Sequence, residues 1–138
     1  MSSRWTCPRC DREFERARQA HTCVPGCTVD ATFAGREPRL RAIYDEVLTH
    51  LRTLGDVHED AVKVGVFLKC ERKLAELRPR SRDLLIYLFL PRPVDHPRLT
   101  RPFGSDGPRI VHRLSLREVS EVDGDVRDWL TLAFDHAC

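Results

Sequence analysis

Near the start of this 138-residue chain, Cys7, Cys10, His21 and Cys23 fall in the pattern Cys-x2-Cys-x10-His-x-Cys. Thiolates with an imidazole suit zinc or an iron-sulfur cluster, and isolated tetrahedral sets of Cys and His are most often structural zinc. The tight turn Cys7-Pro8-Arg9-Cys10 supplies half of the ligands. The ten residues before His21 leave room for a small hairpin around Phe14 and a short helical turn around Arg16-Ala17-Arg18-Gln19. Cys27 also stands at ligand spacing, so an all-cysteine set of Cys7, Cys10, Cys23 and Cys27, with His21 outside, satisfies the same chemistry. A redox Cys-x-x-Cys fits less well, because no strand-then-helix pattern surrounds it and such a pair needs no further ligands nearby. Catalytic zinc keeps one position for water, whereas four or five protein ligands close the shell, which points to a structural metal. So short a segment cannot bury enough apolar area to fold alone, and metal binding, worth about 10–16 kcal/mol in finger peptides, would supply its stability.

Other constellations are weaker. Asp60 followed by Glu71-Arg72-Lys73 has the acid, then acid-x-lysine spacing of metal-dependent nucleases, in which carboxylates hold magnesium and lysine positions the attacking water. In a chain that is 32% charged such a match arises easily. Glu71-Arg72-Lys73 also falls in an expected turn, no His-Glu-x-x-His, Gly-x-Ser-x-Gly or phosphate-binding glycine loop is present, and the expectation is a protein that is not an enzyme. His96, Arg98, Arg101 and His112, with Tyr87 or Phe89 beneath, could line the mouth of a pocket for a small anion, although a loop histidine is more often solvated and a strand histidine more often structural. Around the cysteines, Arg4, Arg9, Arg12, Arg16 and Arg18 could contact phosphate and Trp5 could stack on a base. Asp11, Glu13 and Glu15 interleave with them and weaken that field. The ten-residue spacing and the His-x-Cys ending also depart from the base-reading Cys2His2 finger, leaving its helix too short for the major groove. His50, His58 and His136 are read as surface residues, and Cys70 and Cys138 as free thiols.

The elements that must position these groups follow from periodicity. Residues 28–38, with Gly35 and Pro38, read as a linker. Leu40, Ile43, Tyr44, Val47, Leu48, Leu51 and Leu54 recur at helical spacing, and Gly55 marks the end as a residue tolerant of left-handed backbone. Residues 62–69 alternate as a strand, Leu74 to Leu77 reads as a second, and the apolar run Leu84 to Leu90 as a central third. Residues 91–108 hold five of the nine prolines and read as an exposed loop. Arg109 to Leu114 alternates as the fourth strand. A final helix carries Val126, Trp129, Leu130, Ala133, Phe134 and Ala137, with Asp123 or Asp125 at its start. The result is an α+β class chain: a small N-terminal zinc finger, then a two-layer domain of helix, about four mostly antiparallel strands and a C-terminal helix.

Composition bounds the rest. With 41% hydrophobic residues the chain has enough for a core. No apolar run approaches the roughly 20 residues of a membrane span, and the start lacks the apolar stretch of a signal peptide. Four or five cysteines sit at metal spacing and the other two stand far apart, so a reducing, cytoplasmic setting is expected. Net charge is only +2, but Arg outnumbers Lys 20 to 3, and residues 78–113 carry eight arginines against Asp83, Asp95 and Asp106.

Trp5-Thr6-Cys7-Pro8-Arg9-Cys10 with Phe14 and Gln19-Ala20-His21-Thr22-Cys23 resembles the N-terminal finger of small bacterial proteins whose main domain is the domain of unknown function DUF5655, some labelled predicted transport protein. Phe33 with Gly35, Leu40 to Tyr44, Lys63 to Phe67, Asp95-His96-Pro97-Arg98, His112 and Trp129 to Phe134 are similar as well. The resemblance implies His21 and Cys23 as the second ligand pair; the expected organisation is a finger over residues 1–27, a linker over 28–38 and the domain over 39–138. It implies no activity. The expectation is a zinc-binding module for nucleic acid or a protein partner.

Overall fold

In the computed structural model, which describes residues 4–100 and 104–138, the chain begins with β1 (Trp5–Thr6), β2 (Glu13–Phe14), α1 (Val29–Phe33) and α2 (Pro38–Leu54). There follow β3 (His58–Val62), β4 (Gly65–Lys69), β5 (Lys73–Pro79), β6 (Leu84–Leu90), β7 (Gly104–Asp106), β8 (Arg109–Leu116), a 3-10 turn (Val119–Glu121) and α3 (Gly124–Ala137). The α+β class is the one expected. β1 pairs with β2 in a small sheet, and the other six strands form one antiparallel sheet in the order β3-β4-β5-β6-β8-β7.

The alternation of side chains explains the layering. Ala61, Val66, Leu77, Ile86 and Leu114 stand opposite one another across five strands. All are buried in one cluster with the stripe of α2 and with Val126, Trp129, Leu130 and Ala133 of α3. Both long helices therefore cover one face. The fully buried Tyr44 keeps its phenol satisfied by donating to Glu59 Oε1 at 2.6 Å. Burial, reinforced by that carboxylate, raises its pKa far above the ordinary phenol.

Several expectations are corrected. The alternation over 62–69 is broken by the turn at Lys63–Val64, so those residues end β3 and build β4. The hairpin demands glycine at residue 65, where a Cβ would stand 2.9 Å from the Leu77 carbonyl oxygen. The segment 28–38 is more than a linker. Thr28 caps α1 by accepting from the Ala31 amide at 3.0 Å, and Phe33 enters the core 5.2 Å from the Tyr44 ring. Gly55 ends α2 in extended backbone (φ 163) rather than a left-handed turn. Its lack of a side chain matters because the Phe134 ring lies 2.9 Å from where a Cβ would sit. The 91–108 connection contains β7 and the buried Leu99. Asp123, rather than Asp125, caps α3, accepting from the Val126 amide at 3.2 Å.

Cys70 and Cys138 are not free thiols: they form a disulfide that ties the end of α3 to the β4–β5 turn. The Glu71 and Arg72 amides both donate to the Ala137 carbonyl at 3.0 Å, which brings the two cysteines together from 68 residues apart. The expectation of a reducing compartment loses the support it drew from them. No helix among the described residues is long and apolar enough to cross a membrane. Closing so long a loop lowers the entropy of the unfolded chain by an equivalent of about 4 kcal/mol. Cys138→Ser should therefore melt clearly below the parent, by roughly 10 °C in a thermal scan, and an unchanged midpoint would show that the crosslink contributes nothing.

Candidate metal centre

The knuckle between β1 and β2 is built by its own hydrogen bonds. The Asp11 amide donates to the Cys7 carbonyl at 2.8 Å and the Cys7 amide to the Arg12 carbonyl at 2.9 Å, which wraps the turn around the two sulfurs. Asp11 closes it in left-handed backbone (φ 58), a conformation that aspartate tolerates better than most residues. His21 and Cys23 come back over this turn, and Phe14 stacks on the His21 ring at 3.9 Å.

The ligand atoms of Cys7, Cys10, His21 and Cys23 all lie within 4.8 Å of one another. Cys7 Sγ is 3.8 Å from Cys23 Sγ, and His21 Nε2 is 3.5 Å from Cys10 Sγ and 3.3 Å from Cys23 Sγ. A tetrahedral ion with Zn–S of about 2.3 Å and Zn–N of about 2.0 Å needs edges of about 3.8 and 3.5 Å, so the donor set fits a single ion. The Gln19 carbonyl accepts a 2.6 Å bond from His21 Nδ1 and leaves Nε2 as the ligand atom. Burial opposes the Cys7 thiolate, yet the backbone around Arg9 and Cys10 hydrogen-bonds to it and brings its pKa down to about 6. Burial and the neighbouring Cys7 sulfur raise that of Cys23. Cys27 lies outside the cluster, its thiol on the Thr28 carbonyl and 3.5 Å from the Thr32 hydroxyl. Among the described residues no other group of three or more His, Cys, Asp or Glu converges in this way.

The finger is joined to the sheet. Its last residues add to the outer edge of β3 through a Gly26–Val62 bridge and a 2.9 Å bond from the Cys27 amide to the Ala61 carbonyl. Beneath them Arg12 reaches down to Asp60, donating from Nε to both carboxylate oxygens at 3.0 and 3.1 Å, while Lys69 Nζ donates to Oδ2 at 2.7 Å. Lys69 also donates to the Glu13 carbonyl of β2. All three side chains are under a tenth exposed. Burial alone would raise the Asp60 pKa, but the two cations outweigh it and hold the carboxyl below its ordinary range. Burial pushes Lys69 below its usual value against the pull of Asp60. Sequence inspection singled out Asp60 and Arg12 for other reasons and missed this contact, because nothing local links residues 48 positions apart.

The sheet face away from the helices continues from this junction. Asp60, Phe67, Glu76, Tyr87 and Arg113 form one row across it. Along it cations lie over rings: Lys69 over Phe14 at 4.2 Å, Lys73 over Phe67 and Phe89 at 5.2 and 4.8 Å, Arg78 over Tyr87 at 5.4 Å, and Arg109 over Phe89 at 5.1 Å. Between finger and sheet runs a groove of about 640 Å³.

The other constellations do not assemble. Both oxygens of Asp60 are taken by Arg12 and Lys69, while Glu71 and Lys73 sit at the β4–β5 turn. His112 is fully buried on the helix side, its Nδ1 donating to the Thr100 carbonyl and its Nε2 accepting from the Val94 amide. Tyr87 and Phe89 alternate with Leu88, the partner of His112, and so face the opposite side. Arg98 is bound to Asp123 at 2.7 Å and His96 packs edge-on against Trp129. Arg101 lies outside the described residues. His50 is half-buried against Thr131 at 2.9 Å rather than simply on the surface, and His58 is half-buried with a Glu13 oxygen 3.4 Å away.

Residues 29–137 match the family described as a domain of unknown function (DUF5655), so the finger lies outside the matched region. No curated protein and no solved structure matches the chain.

Proposed function

The chain belongs to the DUF5655 family, and from its geometry we propose that it is a non-enzymatic module in which a structural zinc folds a finger that sits on the sheet, so that both bind nucleic acid. Cys7, Cys10, His21 and Cys23 would hold the ion, which supplies crosslinking and no open coordination position. The observation that carries the reading is the basic groove lined by finger and sheet together, where Lys73 and Arg78 lie over the half-buried Phe67 and Tyr87 of the sheet and the finger adds Arg16 and Phe14. Cations neutralise phosphate and rings offer faces for bases, the combination used on polynucleotides. The sheet carries most of these cation-ring pairs, and the Arg12–Asp60–Lys69 cluster fixes the finger beside them.

The test is a fluorescence-anisotropy titration of zinc-loaded protein with single- and double-stranded 20-mers at low salt. Binding of at least one form at micromolar concentration is expected, and it should weaken at least tenfold in Cys10→Ser. Absence of binding to either form at tens of micromolar would refute the reading.

A further inference from the structure

We propose that the occupant of the groove between finger and sheet is a single-stranded segment of nucleic acid, its phosphates on the groove's arginines and lysines; this rests on the nucleic-acid reading above. Eight cationic side chains line the groove against Glu15 and Glu71. Arg12 and Lys69 lie at the finger junction, and Asp60 and Glu76 cancel one of those and Arg78. The surplus is several charges, more than a single phosphate group needs and suited to a run of them. It is also arranged lengthwise: Arg16 comes from the finger, Arg4 and Arg72 from beside the disulfide, and Lys73 from β5.

Shape selects the strand. A duplex presents phosphates on a convex cylinder and cannot lower them into a recess walled on both sides, whereas a single strand can. The volume, about 640 Å³, is in the range that encloses a ligand of nucleotide size. Half-buried Phe67 in the wall, with Val24, Val64 and Pro108 nearby, gives bases an apolar and partly aromatic surface. An acidic peptide would use the charge but leave this apolar wall uncovered. Arg4 adds a specific cue: one guanidinium nitrogen donates to the Cys70 carbonyl, while Nη1 is buried with no hydrogen-bond partner. Such an unmet donor beside a groove is a site for an oxygen acceptor.

The experiment compares a labelled single strand of 12 nucleotides with its own duplex, using zinc-loaded full chain at 0.1 M salt. The single strand should bind at least tenfold more tightly. Each phosphate contact on a single strand contributes a salt slope of about 0.7, equivalent to about fivefold at 0.1 M. Arg16→Ala and Lys73→Ala should therefore each weaken binding about fivefold and flatten the salt slope. Arg36→Ala, in the loop before α2 and away from the groove, should leave it unchanged. Arg16 is exposed, so its replacement leaves the fold intact, and Lys73→Gln serves if Lys73→Ala melts early. Equal or tighter duplex binding, indifference of the single strand to both groove variants, or equal binding of polyglutamate or of a mononucleotide would overturn the proposal. If duplex and strand bind alike in a zinc-dependent way and only the groove variants are silent, the groove assignment falls and the nucleic-acid reading stands; if neither binds, both fall.

Discussion

Asp60→Ala should lower the stability of the protein by about 3–5 kcal/mol, the cost of leaving buried charges without their partner. The carboxylate is shared by Arg12 and Lys69, so its removal strands two cations, each with a side chain less than a tenth exposed. For a chain of this size the melting midpoint should fall by about 10–15 °C. The first structural consequence should be loosening of the finger, since Arg12 and the Lys69 contact to Glu13 are its buried charged anchors on the sheet. Hydrogen exchange would read this as lost protection over residues 5–14 while β6 stays protected. A shift of under 2 °C with the finger still protected would refute the role given to the cluster. Replacing Arg12, Asp60 and Lys69 together by apolar residues of similar volume should recover much of the loss, because apolar packing often serves as well as a buried ion pair. Acid should mimic the single substitution. The folded pKa of Asp60 is depressed below the ordinary 3.8. Its contribution is thus complete above that value and is lost as pH falls through the lower folded one.

Removal of the metal should have the other large effect. The apolar cluster of the finger consists of Cys7, Cys10 and Phe14 with Trp5 against them, and two of these four are ligands. Without an ion, nothing of comparable strength holds β1, β2 and the returning His21-Thr22-Cys23 together, given the roughly 10–16 kcal/mol that zinc supplies to finger peptides. Elemental analysis should find one zinc per chain. Cys10→Ser should lose it and expose residues 5–26 to rapid exchange and proteolysis, with α2 and β6 still protected by their own core. Cys27→Ser should keep the metal, because its sulfur sits on Thr28 and Thr32. Retention of zinc by Cys10→Ser, or its loss from Cys27→Ser, would contradict the ligand set.

How far these sites were legible depends on the distance over which their determinants act. Ligand spacing is local: pairs separated by two, ten and one residues along a short chain cannot avoid one another, so the Cys/His cluster could be read directly. The helical stripe of α2 and the apolar run of β6 were legible for the same reason, since a period of 3.6 or an unbroken strand reflects burial against whatever core forms. Where Cys27 competes with His21, spacing was silent. The structure separates them because the chain after Cys23 is drawn off along β3, which carries Cys27 away from the other sulfurs.

The pairings that cross the fold had no such signature. Cys70 and Cys138 look unrelated in sequence until α3 packs over β5 and β6 and its last carbonyl caps the β4–β5 turn. Asp60 drew notice only through a weak nuclease-like spacing with Glu71-Arg72-Lys73, because a lone acid carries no mark of the arginine that will neutralise it. A pocket joining His112 with Tyr87 or Phe89 stayed open on the sequence because alternation shows that side chains take opposite faces but not which strand lies beside which.

By itself, the sequence determined the ligand set available to a metal, the positions of the two long helices and the central strands, and the α+β class, all consequences of short-range periodicity and donor chemistry. Only the tertiary structure decided that the finger is fused to the sheet, that its arginines share a groove with those of β5 and β8, and that the ends of β4 and α3 are crosslinked. These are contacts between residues tens of positions apart, set by which faces remain once the helices have buried the other side of the sheet.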